Sequence, residues 1–383
     1  MPTRKPSALS VFIPSILALG LMEGASASAR FTPADPNYVV VKNSVHPRKA
    51  APDAGEAART AHELIDRART EREPRFFGYA EAVIQPWLEN ASTPPPELLL
   101  LKADIQQNRH EFTSAIATLN RAIQAQPHDP RGYLQRASVQ MVRGEFTAAR
   151  ADCRELIVGG ELAVGSVCMA QAAGATGNTE RAEAMIRTLL SNGQQFDSPT
   201  RSWALATLAD LARRRGADQE AEQLLRQALD LAPTDDSIRC ALADLLLDRA
   251  ANSEVATLTS VERPSLALLL RKTIAQHRMK NAHVVETSQR FVELIEIDRQ
   301  RSERAHLREE AMFALEVSGD SQAAAKLALA NFKIQRESAD IRLLARSAAA
   351  AGNATALKEL RQWLALSGYR DRQLEPLLHA APT

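Results

Sequence analysis

Aromatic residues make up only 4% of this 383-residue chain, and glycine occurs 16 times. Sandwiches and barrels draw on aromatic and β-branched residues and on frequent glycine turns, so their scarcity points to an all-helical fold. An excess of charge of one sign is missing too. The 47 basic and 46 acidic residues leave +1, and Arg4, Lys5 and Glu23 in the first 29 residues account for it. A neutral remainder offers no global field for nucleic acid or anionic lipid, so neither is expected as a partner. Catalytic signatures are also lacking: there is no Walker phosphate loop, no HExxH and no GxSxG, and His277 and His283 do not match a common metal spacing. No catalytic residue, metal site or cofactor is therefore expected.

Residues 1–29 have the order of a secretory signal peptide: basic Arg4 and Lys5, an apolar run from Ala8 to Met22, and a small-residue exit from Ala25 to Ala29. With about 15 residues and Pro14 inside it, the run falls short of the ~20 needed to span a bilayer, which favours cleavage after Ala27 or Ala29 over an anchor. No later segment is apolar enough to cross, so no transmembrane segment is expected after cleavage. Residues 30–54 carry four prolines and no helical period, the composition of an extended or disordered linker. The expected location is the periplasm of a Gram-negative bacterium, or outside the cell.

The rest of the chain repeats itself. Ala103 is followed 12 residues later by Ala115, then by Leu119 and Ala122 at offsets 4 and 7, with Pro127 closing the unit. The spacing recurs as Ala137, Ala149, Cys153, Leu156; as Ala170, Ala182, Ile186, Leu189; and as Ala209, Ala221, Leu225, Ala228, Pro233. Offsets of 4 and 7 place apolar residues on one face of a second helix, and the small residue on the first helix lets the two backbones approach. Asn108-Arg109-His110, Arg143-Gly144-Glu145, Gly177-Asn178-Thr179 and Arg215-Gly216-Ala217 lie midway, where a hairpin must turn.

These units resemble the tetratricopeptide repeat (TPR) family, whose unit is a helix-turn-helix of about 34 residues with a late alanine and a closing proline. The resemblance implies an all-α fold, a right-handed superhelical solenoid of helix-turn-helix repeats. The TPR-like array is expected over residues 55–252, with 57–90 as a divergent first unit built on Ala80, Ile84 and Trp87. After Ala243 the pattern decays: Val255 fits, but Thr259 and Glu262 stand where apolar residues should. Residues 264–383 are expected to continue the solenoid as divergent helical repeats.

In the family the first helices line the concave face. That implies an apolar stripe of Leu100, Leu134 and Val167, flanked by Asp104, Ser138, Gln171, Asp210 and Asp244, with Asn108 and Arg214 one turn on. Such a groove suits a peptide segment or a partner protein of the bacterial envelope, and the expected function is a non-catalytic interaction scaffold. Leu100, Asp104 and their equivalents stand where the family's carboxylate clamp needs Lys and Asn, which disfavours a receptor for acidic chaperone tails. An enzyme or enzyme subunit with a site in residues 264–310, or a self-assembling array, are the alternatives, and the oligomeric state is open. Cys153 and Cys168 lie about equally far from Gly159-Gly160, so antiparallel packing would bring them level. Disulfide and two buried thiols both remain open there.

Overall fold

The computed structural model describes residues 53–89, 94–191, 196–300 and 306–378, all within one unit that spans 49–383. The signal-peptide expectation, and the linker as far as residue 52, lie outside the described residues. Among those described there is no strand.

Nine helical hairpins follow one another among the described residues. They pair α1 (Ala54–Thr70) with α2 (Arg75–Glu89), α3 (Pro96–Asn108) with α4 (Phe112–Ala125), and α5 (Pro130–Val142) with α6 (Phe146–Val158). Next come α7 (Leu162–Ala175) with α8 (Thr179–Ser191), α9 (Ser198–Arg214) with α10 (Asp218–Leu231), and α11 (Asp236–Asp248) with α12 (Asn252–Leu258). The last three join α13 (Leu266–Arg278) with α14 (Val284–Gln300), α15 (Leu307–Phe313) with α16 (Ser321–Phe332), and α17 (Ser338–Ala350) with α18 (Ala354–Ser367). A short α19 (Glu375–Leu378) ends the described chain.

Local chemistry explains the starts and the turns. Side chains of Asp129, Asp197 and Asp235 accept from backbone N–H groups of the first turn of α5, α9 and α11, which otherwise lack an acceptor. Every turn inside a hairpin carries one residue in the left-handed region: Arg72, His110, Gly144, Gly177, Gly216, Ala250, Lys280, Gly319 and Gly352. Four of these nine are not glycine, so the sharp reversal is held by packing as well as by backbone freedom.

The alanines that set the register are buried: Ala103 with Ala115, Ala137 with Ala149, Ala170 with Ala182, and Ala209 with Ala221. First helices of successive hairpins lie side by side, α1 through α9 and then α11 through α17, which makes the all-α repeat solenoid. The register also survives beyond Ala243. Val255 and Thr259 are both fully buried, and the Thr259 hydroxyl donates to the Val255 carbonyl at 2.7 Å, so a polar residue fills an apolar site without an orphaned group. Leu344, Ala356, Leu360 and Trp363 repeat offsets of 12, 4 and 7. In Ala311, Ala324, Ala328 the first step is one residue longer, and the π-helical turn Ala314–Ser318 lies within it.

The later hairpins wind back onto the earlier ones. The Arg336 N–H donates to the carbonyl of Val142 at 2.6 Å, and Arg370 N–H to that of Ala175 at 3.0 Å. Arg72 in the first hairpin turn pairs with Asp236 at the start of α11, 2.8 Å apart. Trp363 packs edge-on against Phe332 at 5.3 Å and lies 5.6 Å from Tyr369, while Phe146 stacks on Tyr369 at 6.1 Å. One apolar core consequently runs from Phe146 to Leu374.

Candidate functional site

The ten residues expected to line the groove fall on the first helices, and most already have partners within the chain. Leu100 and Val167 are buried, and Leu134 packs against Ala137, Cys153 and Cys168. Ser138 is half-buried. Asp104 accepts from Arg69 at 2.6 Å and from Asn108 at 3.2 Å, and the same Asn108 amide donates to the Asp104 carbonyl. Gln171 accepts from the Trp203 indole N–H at 3.2 Å. Asp244 takes both forks of the buried Arg271 guanidinium at 2.8 Å. A bidentate pair of this kind fixes both side chains.

Asp210 and Arg214 form the centre of a larger constellation. Arg214 is 2.6 Å from Asp210, donates to the Ser338 hydroxyl at 3.0 Å, and lies 4.6 Å from the centroid of the Tyr369 ring. Arg342 on α17 pairs with Asp371 at 2.7 Å in the same region. Burial opposes the charge on Asp210, but Arg214 and Arg342 outweigh it and hold the carboxyl below its usual range. Burial pushes the Tyr369 phenol up to about 12, against the pull of Arg214 and Arg342. Four of these groups, Ser338, Arg342, Tyr369 and Asp371, come from the last hairpin and the chain after it. The inner wall at α9 is thus covered by the C-terminal part of the same chain.

Sequence reasoning had no reason to select Trp363, Tyr369 or Arg342. One signal was available: in a chain with so few aromatics, Phe332, Trp363 and Tyr369 are concentrated in the C-terminal stretch that packs on the Phe146 turn. The run Arg213-Arg214-Arg215 looks like a solvated helix end in the sequence. Arg214 is instead buried, because the C-terminal hairpins cover that end of α9, and Arg213 and Arg215 pair with Asp248 and Glu183.

The cysteines resolve into one disulfide, Cys153 to Cys168, with Cα atoms 5.5 Å apart, which ties α6 to α7. Cys240 remains a thiol, pushed up to about 12 by burial despite Arg271 nearby. In the 264–310 region His283, exposed in the turn before α14, lies 3.7 Å from Glu286, and His306 lies 3.1 Å from Asp298. Among the described residues no group of three or more His, Cys, Asp and Glu side chains is placed to hold a metal ion, and no helix is long and apolar enough to cross a membrane.

The described residues define a class: an all-α protein of stacked helix-turn-helix repeats. Within that class the chain resembles the tetratricopeptide repeat family, whose model matches residues 161–234, the stretch from α7 through α10. Similar solved structures include a tetratricopeptide repeat protein from Parabacteroides merdae, at 16% identity and a TM-score of 0.40, covering 76% of this chain and 99% of that one. A thermophilic TPR protein of Thermus thermophilus is similar at 20% identity and a TM-score of 0.39, over 50% of this chain and 98% of its own. The human IFIT1 dimer with m7Gppp-AAAA is similar at 14% identity and a TM-score of 0.47, over 84% and 80%. No curated protein sequence matches the chain.

Proposed function

We propose that the chain is a non-catalytic scaffold that holds a partner protein in the envelope of a Gram-negative bacterium, exported by residues 1–29. The observation that carries the interaction role is the hairpin array itself, with residues 161–234 matching the repeat family. A rigid array of this kind offers extended protein-binding surface and no convergent reaction centre. The disulfide between α6 and α7 supports export, because such bonds persist in oxidising compartments.

The covered inner wall favours capture on the outer face. Groove capture through Leu100, Asp104, Asn108, Leu134, Ser138, Val167, Gln171, Asp210, Arg214 and Asp244 requires the C-terminal hairpins to lift away first. Photo-cross-linking in intact cells, with probes on outer positions of α6, α8 and α10 and on inner positions beside Leu134, separates the two. Partner cross-links from outer probes alone support the outer face, and cross-links from inner probes alone assign the groove. N-terminal sequencing of the mature protein tests export, and a chain still starting at Met1 in the cytoplasm would overturn it.

A further inference from the structure

Where successive hairpins meet on the outer side, a four-residue ionic square recurs. Between the fourth and fifth hairpins, Arg187 meets Glu220, and Arg215 meets both Glu183, at 2.9 Å, and Glu220. Between the fifth and sixth, Arg226 lies 2.8 Å from Glu254, while Arg249 lies 3.2 Å from Glu222 and 2.9 Å from Glu254. The positions correspond. Each square takes the first and fifth residues after the buried second-helix anchor of one hairpin, and the sixth and first residues before that of the next, the anchors being Ala182, Ala221 and Val255. Two arginines and two glutamates make each square neutral.

One hairpin earlier, between the third and fourth, the same positions hold Arg150, Arg154, Thr176 and Arg181. Three cations stand there with no anion. Arg154 and Arg181 are exposed, and among the described residues none of the three arginines has an ion-pair partner, Arg150 donating only to the Thr147 hydroxyl at 3.3 Å. Glu155 and Glu180 are exposed sequence neighbours of Arg154 and Arg181, and adjacent residues on a helix do not face each other. Like charges placed together cost stability, and nothing in the fold recovers it.

An apolar edge completes the surface. Arg150, Arg154 and Val158 follow one another at four-residue steps on one face of α6, and Val158 is 76% exposed. Leu162, 46% exposed, stands across the Gly159-Gly160 turn. Behind this edge the Cys153–Cys168 disulfide fixes α6 against α7.

We infer that Arg150, Arg154 and Arg181, bordered by Val158, dock an acidic amphipathic segment of a partner protein, whose carboxylates neutralise the three guanidinium groups as the four glutamates neutralise the arginines of the two later squares. The inference rests on the scaffold reading above. Carboxylates are the ligands because Arg187 and Arg226, which stand in the place of Arg154 one and two hairpins further on, hold carboxylates, while Arg150 and Arg181 fill the places of the glutamates that would supply them here. The neighbouring Val158 calls for an apolar side chain beside those carboxylates, which a free anion lacks.

The test uses the full mature chain and a fluorescein-labelled helical peptide with Glu at i and i+4 and Leu at i+8. Binding is expected to the wild type, to weaken by about tenfold or more in Arg154→Gln/Arg181→Gln and in Arg181→Glu, and to vanish for the peptide with Gln in place of Glu. Arg181→Glu also tests the register directly. It should complete the Arg154 rung, raising Tm by roughly 1 °C, while an unchanged or lower Tm would overturn the placement. Equal peptide affinity in the wild type and both variants overturns the docking surface. So does equally strong binding of inorganic phosphate or of phosphatidylglycerol vesicles, in place of the peptide. In cells, partner cross-links from other faces that persist unchanged in Arg181→Glu remove this surface and leave the scaffold standing, whereas absence of any partner cross-link in the wild type removes the scaffold itself.

Discussion

Asp340 shows what a single buried residue holds together. It is almost wholly buried at the start of α17 and accepts from Arg308 at 2.5 Å, from Asn331 at 2.7 Å and from the Glu337 backbone N–H at 2.9 Å. Asp340→Ala leaves Arg308 with Glu337 alone and takes the acceptor from the Asn331 amide, and should cost about 3 kcal/mol, measured by urea unfolding. Tyr369 makes a contrasting case, because its buried hydroxyl has no hydrogen-bond partner. Its phenol titrates at about 12 in the folded chain and near 10 when unfolded, so its contribution is complete below about pH 10 and lost as pH rises toward 12. Tyr369→Phe should therefore leave stability at neutral pH nearly unchanged and flatten the fall of Tm between about pH 10 and 12. A melting series against pH for the two proteins measures this.

At the scale of the element, helices were legible wherever small residues set the packing distance. The paired alanines from Ala103 to Ala221 gave hairpins, turns and register because close backbone approach demands a small side chain at fixed spacing. The pattern faded from view after Ala243 because Thr259 is satisfied by a local bond and because a π-helical turn shifts the eighth hairpin by one residue. Neither leaves a mark on hydropathy. The disulfide was half legible: equal distance from a glycine turn placed the sulfurs level, but spacing alone says nothing of bonding. Reducing the Cys153–Cys168 bond, or substituting both residues by serine, should destabilise the α6–α7 pair by about 2–4 kcal/mol, read as a lowered Tm in reductant. Equal melting in oxidised and reduced samples would contradict that role.

At the scale of the whole described unit, no spacing or composition signal marks the return of later hairpins to earlier ones. Bonds such as Arg336 to Val142 join residues far apart in the chain, and they depend on how small rotations accumulate over several hairpins rather than on any local pattern. The inner-wall residues were placed on the correct helices by register alone, while their partners Ser338, Arg271 and Trp203 came from elements that no spacing rule linked to them. Gly144 stands at this junction, with a positive φ of 74° and the Trp363 ring 2.7 Å from where a Cβ would sit. Gly144→Ala should therefore loosen the contact between the third and ninth hairpins. Hydrogen exchange at the Arg336 and Arg370 amides would report it as a loss of protection of about tenfold or more, with the α9 amides far less affected.

The stacking of late hairpins on early ones sets a rule of count. An open array tolerates gain or loss of a unit anywhere along its length, since each unit answers only to its neighbours. Here the bonds from Arg72 to Asp236, Val142 to Arg336 and Ala175 to Arg370 must all align together, as threads of a screw must mesh. Excising one unit between Ala103 and Ala243 would put the meshing contacts that span it out of phase at a stroke. Duplication, the ordinary route by which such arrays lengthen, is closed to this chain for the same reason.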